Sequence, residues 1–114
     1  MVIQRNEMQV EQRERMRDGE GTLTLTHLTG DNTQKNVRLV GEFILPPGSS
    51  IGKHQHNDET EYFIFLEGTG TVDDNGIERP VKKGDMMITG DGGAHSVKNT
   101  GSEPLVFNAV IVTH

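Results

Sequence analysis

Two histidines separated by one residue, His54 and His56, are followed five positions later by Glu61. In an extended strand residues i and i+2 project from the same face, so the two imidazoles can aim at one point. Two imidazoles and a carboxylate are nitrogen and oxygen donors of the kind that first-row divalent metals take. The spacing therefore predicts a metal site. Asp58 and Glu59 stand close enough in sequence to compete for the carboxylate position. Glu61 is preferred because alternation through Thr60-Glu-Tyr-Phe-Ile-Phe-Leu-Glu67 puts it on the face of Phe63 and Phe65. A lone carboxylate on such a face costs several kcal/mol to bury and calls for a cation.

These residues need strands to position them. Fourteen glycines and four prolines break the 114-residue chain into short apolar runs. Strand-like stretches cover residues 22–28, 37–45, 51–56, 60–67, 69–73, 77–81, 85–88, 94–98 and 105–112. Asp74-Asn75-Gly76 between two of them is a hairpin signal, since Asn-Gly accepts positive φ. Many short strands at this spacing predict an all-β sandwich or barrel. Residues 4–17 hold helix formers without glycine or proline and read as a short N-terminal helix or arm ended by Asp18-Gly19. The chain thus divides into an arm or helix at 1–20 and a β-barrel domain at 21–114. The second face of the 60–67 run, with Tyr62, Ile64 and Leu66, is also apolar and predicts a further layer or a partner chain.

Composition removes several functions. There is no cysteine, so disulfides, thiolate zinc sites, iron–sulfur clusters and cysteine nucleophiles are excluded. The formal charge is -6, and the few basic residues are scattered, with Arg13, Arg15 and Arg17 interleaved among acids. No basic footprint for a phosphate backbone is present, and nucleic acid is not an expected partner. The apolar runs are too short to span a membrane. Met1-Val-Ile-Gln-Arg-Asn-Glu lacks the features of a secretory signal, so a cytoplasmic location is expected.

The pattern Gly48-x5-His54-x-His56-x4-Glu61-x6-Gly68 resembles the first sequence motif of the cupin superfamily throughout its length. Gly84-x5-Gly90-x-Gly92-x2-His95-x3-Asn99 resembles the second, departing where the family has proline and this chain has Gly90. Together the motifs cover about half the chain. The resemblance implies a double-stranded β-helix, or jelly-roll β-barrel, of the single-domain kind. It implies that His95 joins His54, His56 and Glu61 around one divalent transition metal, whose identity (manganese, iron, nickel, cobalt or zinc) the donor set leaves open. It also implies a homodimer, to which the apolar Tyr62/Ile64/Leu66 face and the 1–20 arm would contribute.

Four protein ligands leave positions on an octahedral ion for water or substrate, the mark of catalytic sites. The expected function is a metalloenzyme that chelates a small oxygen-rich molecule (a carboxylate, hydroxy-ketone or sugar-like compound) for isomerisation, decarboxylation or oxygenation. The alternative is a cupin that binds such a molecule without turnover. No general acid or base stands out; Glu42 and His27 are the only candidates. Gly92-Gly93 is read as the tight turn that delivers His95 rather than as an anion nest.

Overall fold

The apolar runs of the sequence fold as antiparallel strands in two facing sheets. In the computed structural model, which describes Met1–His114, the strands are β1 (Gln9–Glu14), β2 (Thr22–His27), β3 (Val37–Leu45), β4 (Ser50–Gln55), β5 (Glu59–Glu67), β6 (Thr69–Asp74), β7 (Ile77–Lys82), β8 (Met86–Thr89), β9 (Ala94–Lys98) and β10 (Leu105–Thr113). One sheet has six strands in the order β1-β2-β3-β10-β5-β8, and the other has four in the order β4-β9-β6-β7. This is the all-β jelly roll of the double-stranded β-helix type. No helix is long and apolar enough to cross a membrane.

The core lies between the sheets. Leu23, Leu25, Phe43, Phe63, Phe65 and Phe107 from the larger sheet meet Ile51, Val72, Val81 and Val97 from the smaller one. Phe107 is its hub: its ring stacks on Phe43 at 5.2 Å and lies 4.5 Å from Phe63. Burying each such phenylalanine contributes about 1.5–3 kcal/mol. On β5, Glu61, Phe63 and Phe65 are buried while Ile64 is exposed and Tyr62 and Leu66 are half-buried, as alternation predicts. Asn75 and Gly76 both take positive φ at the β6–β7 hairpin tip, as the Asn-Gly pair requires.

Of the two readings of residues 4–17, helix or arm, the helix is not formed. The segment makes a 3-10 turn at Arg5–Glu7, then β1, then a turn at Met16–Asp18 in which Arg17 and Asp18 take positive φ. β1 pairs with β2 of the same chain, with Gln9 opposite His27 and Glu14 opposite Thr22. Residues on both sides of the expected boundary at 20/21 therefore belong to one sheet. Helix propensity lost here because it is a weak preference, and the backbone groups of β2 offer a full ladder of hydrogen bonds.

Candidate metal centre

A β-bulge aims the first histidine. Ile51 is opposite Val97 and His54 is opposite His95, so β4 spends one more residue than β9 over the same stretch. The extra residue shifts the parity of the strand, and Ile51 and His54 both turn inward. Gly52 sits in the bulge because the backbone of Arg17 passes against it: a Cβ there would overlap the Arg17 carbonyl oxygen. His56 follows just beyond β4, where its backbone exchanges hydrogen bonds with the Gly92-Gly93 turn. That turn delivers His95 onto β9, as expected. Glu61 enters from the opposite sheet on β5.

The four side chains converge. One ligand atom from each of His54, His56, Glu61 and His95 lies within 4.8 Å of all the others. Nε2 of His95 is 3.1 Å from Nε2 of both His54 and His56. Glu61 Oε1 is 2.9 Å from His56 Nε2, 3.0 Å from His95 Nε2 and 3.9 Å from His54 Nε2. His56, Glu61 and His95 are buried, and the His54 side chain is only 10% exposed.

The outer nitrogens test whether this group suits a cation. His54 Nδ1 donates to the Gly52 carbonyl at 2.8 Å, and His56 Nδ1 donates to Glu59 Oε2 at 2.5 Å. His95 Nδ1 lies 2.8 Å from Thr89 Oγ1. An imidazole that spends its proton at Nδ1 presents a lone pair at Nε2. His54 and His56 thus turn lone pairs toward a buried carboxylate and a third imidazole. Such a group has donors for a metal and, without a positive charge among them, mutual repulsion. The residues fit a divalent transition metal.

Protons can take the cation's place in this cluster, and imidazole N–H groups then face Glu61. Burial by itself raises the Glu61 carboxyl, but its contacts with His54, His56 and His95 outweigh burial and hold it well below the usual carboxylate range. His56 is raised, by its bond to Glu61 first and by Glu59 as well, against the opposing effect of burial. His95 is lowered because burial dominates. Glu59 is lowered chiefly by Arg38, which grips both its oxygens at 3.0 and 2.8 Å.

Above the cluster opens a cavity of about 230 Å³. Its floor includes His54, His56, Glu61 and Phe63, and its rim carries Arg13, Arg17, His27 and Arg38. His27, one of two candidates for acid–base work, lies in this wall and holds Glu11 Oε2 at 2.6 Å. The other candidate, Glu42, does not reach the cavity; it faces Arg5 at 3.4 Å. The residue is on β3 with the wrong parity, since Gly41 and Phe43 are its inward neighbours. Glu59, considered as a rival to Glu61, orients His56 from behind instead. The rim arginines were not legible in the sequence, because only the β1–β2 pairing and the Met16–Asp18 turn bring residues 13 and 17 over the cavity.

A metal-binding jelly roll with three histidines and one glutamate between its sheets defines the class. The comparisons narrow it. The cupin domain family model matches residues 41–112, and the chain belongs to that family. It is 41% identical over 113 residues to an oxalate-binding protein of Thermotoga maritima, covering 98% of this chain and 93% of that one. Among solved structures, one from Thermotoga maritima described as a predicted oxalate decarboxylase superposes with a TM-score of 0.91 at 39% identity, with full coverage of both chains. The polyketide cyclase RemF of Streptomyces resistomycificus, at 18% identity, shares the fold, with a TM-score of 0.76 over 99% of this chain and 78% of that one.

Proposed function

We propose that His54, His56, Glu61 and His95 ligate one divalent transition metal, and that the protein is a metal-dependent cupin enzyme acting on a small carboxylate. The observation that carries this reading is the floor of the cavity, where imidazole lone pairs and a buried carboxylate face one another beneath a rim of arginines. A bound ion supplies Lewis-acid stabilisation of negative charge on a chelated substrate oxygen. The protein's residues do the rest. His54, His56 and His95 are fixed by their outer hydrogen bonds, the apolar wall of Phe43, Phe63 and Ile111 excludes water, and the rim attracts an anion.

The relatives named for oxalate make that dicarboxylate the first substrate to try. Its decarboxylation breaks the carbon–carbon bond, releases carbon dioxide and adds one proton to the remaining carbon to give formate. Outside the four-residue cluster, His27 is the cavity-wall imidazole placed to pass on that proton, with Glu11 behind it at 2.6 Å. The test is incubation of protein loaded separately with manganese, cobalt or zinc with oxalate. Formate and carbon dioxide in equal amounts are expected.

A second reading, binding without turnover, is favoured by one observation. Each carboxylate near the cavity is already engaged: Glu11 by Arg13 and His27, Glu59 by Arg38 and His56, and Glu61 within the cluster. Saturable oxalate binding with no formate under any of these metals would establish that reading in place of the enzyme.

The homodimer belongs to the same proposal. The outer face of β5 and β8 exposes Ile64, Met86 and Ile88, continuous with Tyr62, which is opposite Ile88. A buried Asn108 Oδ1 without a hydrogen-bond partner lies opposite Ile64 on β10. A second copy packed on this face would cover the apolar side chains, and residues 1–20 would take part through β1, the edge strand of the same sheet. A dimer mass by light scattering at micromolar concentration is expected; a monomer mass would refute it.

A further inference from the structure

We propose that Arg17 selects a small dianion, reading the second negative charge of a substrate whose first carboxylate is held at the floor of the cavity; this rests on the carboxylate reading above. Three arginines line the cavity, but they are not equivalent. Arg38 is committed to both oxygens of Glu59, and Arg13 to Glu11 at 2.5 Å. Arg17 makes no ion pair and no side-chain hydrogen bond, so its guanidinium is the free donor fork of the rim. At the floor, a divalent ion with the single carboxylate of Glu61 leaves one uncompensated positive charge, and Arg17 adds another. Two opposed positive charges around so small a volume match a compact dianion better than a monoanion of the same shape.

The backbone that presents Arg17 is built rather than loose. Arg15, Arg17 and Asp18 all lie in the left-handed region, with φ of 51°, 54° and 62°. Non-glycine residues adopt that conformation when the surroundings enforce it, and such enforcement collects at functional positions. The surroundings here are explicit. Arg15 N–H donates to Gly21 O at 2.8 Å, Ser50 N–H to Glu20 O at 2.8 Å, and Glu20 N–H to Ser50 Oγ at 2.9 Å. Gly19 and Gly52 have no room for a Cβ, which lets the turn lie directly on β4. The strand that carries His54 therefore also seats Arg17, and the metal end and the cationic end of the cavity are set by one element. A guanidinium fork is suited to a carboxylate in a way that an ammonium is not.

The test compares oxalate with oxamate, a monoanion of nearly the same shape, by calorimetry on the manganese-loaded protein. Wild type is expected to favour oxalate. In Arg17→Gln oxalate should weaken on the order of ten- to a hundredfold, the range for a charge-assisted hydrogen bond. Oxamate should change less than about threefold, because its amide end offers Arg17 no charge to pair. Manganese stoichiometry should be unchanged, which separates loss of recognition from loss of the site. Arg17→Lys should fall between the two. Equal loss for both ligands, or no loss for either, would overturn the role of Arg17 while leaving the carboxylate reading intact. Failure of the wild type to bind either ligand would overturn the carboxylate reading and this inference with it.

Discussion

Nδ1 of His56 lies 2.5 Å from Oε2 of Glu59, a carboxylate that Arg38 grips from the other side. The contact fixes the tautomer of His56, raises its basicity and turns its Nε2 toward Glu61, 2.9 Å away. A residue three positions along the chain thereby sets the direction of a proposed metal ligand.

Glu59→Gln removes the charge that holds His56 and Arg38 together. The outer-shell role gives an expected loss of about 10–100-fold in metal affinity with the fold retained. Competition against a chelator of known affinity measures it, and circular dichroism checks the fold. An unchanged affinity would mean that His56 is held by packing alone.

Metal binding should weaken in acid in a particular order. His56 is raised above the ordinary histidine value while His95 is lowered, so the first proton to compete with the ion enters at His56. For the metal-free protein the sign follows. A raised histidine stabilises the fold below its unfolded pKa of about 6.5, and that contribution is lost as pH rises through the raised folded value. The rise in melting temperature on adding metal should therefore grow with pH across that window. Thermal melts with and without manganese from pH 6 to pH 9 test it, and a pH-independent increment would contradict it.

Gly52→Ala should damage the protein more than its exposure suggests. The added Cβ would collide with the Arg17 carbonyl, and the Gly52 carbonyl is the acceptor for His54 Nδ1. Overpacking of this sort costs about 1–3 kcal/mol. Denaturant melts should show the loss, and metal affinity should fall with it as His54 shifts. Gly48→Ala is the contrasting case, since no atom lies within contact of its Cβ and only its positive φ of 82° opposes the change.

What the sequence revealed depended on periodicity. Alternation placed Glu61 with Phe63 and Phe65, and the structure buries all three. The bulge at Gly52 was not legible, because strict alternation sets Ile51 and His54 on opposite faces and only the pairing with β9 shows both turned inward. β1 escaped for a related reason. Arg13 lines the cavity beside His27, and Glu11 pairs with both of them, so the strand lacks the apolar alternation of a core element. The same cause hid the arginines. Their role comes from where a polar strand and a strained turn dock, and no local pattern encodes a docking position.

The most direct measurement is the metal content of protein purified without chelator or nickel resin, beside the variant His54→Ala/His56→Ala. About one divalent transition metal per chain is expected in the wild type and almost none in the variant, with the fold of both intact. Stoichiometric metal retained by the variant would contradict it, as would a wild type that takes up no manganese, iron, cobalt, nickel or zinc at micromolar concentration.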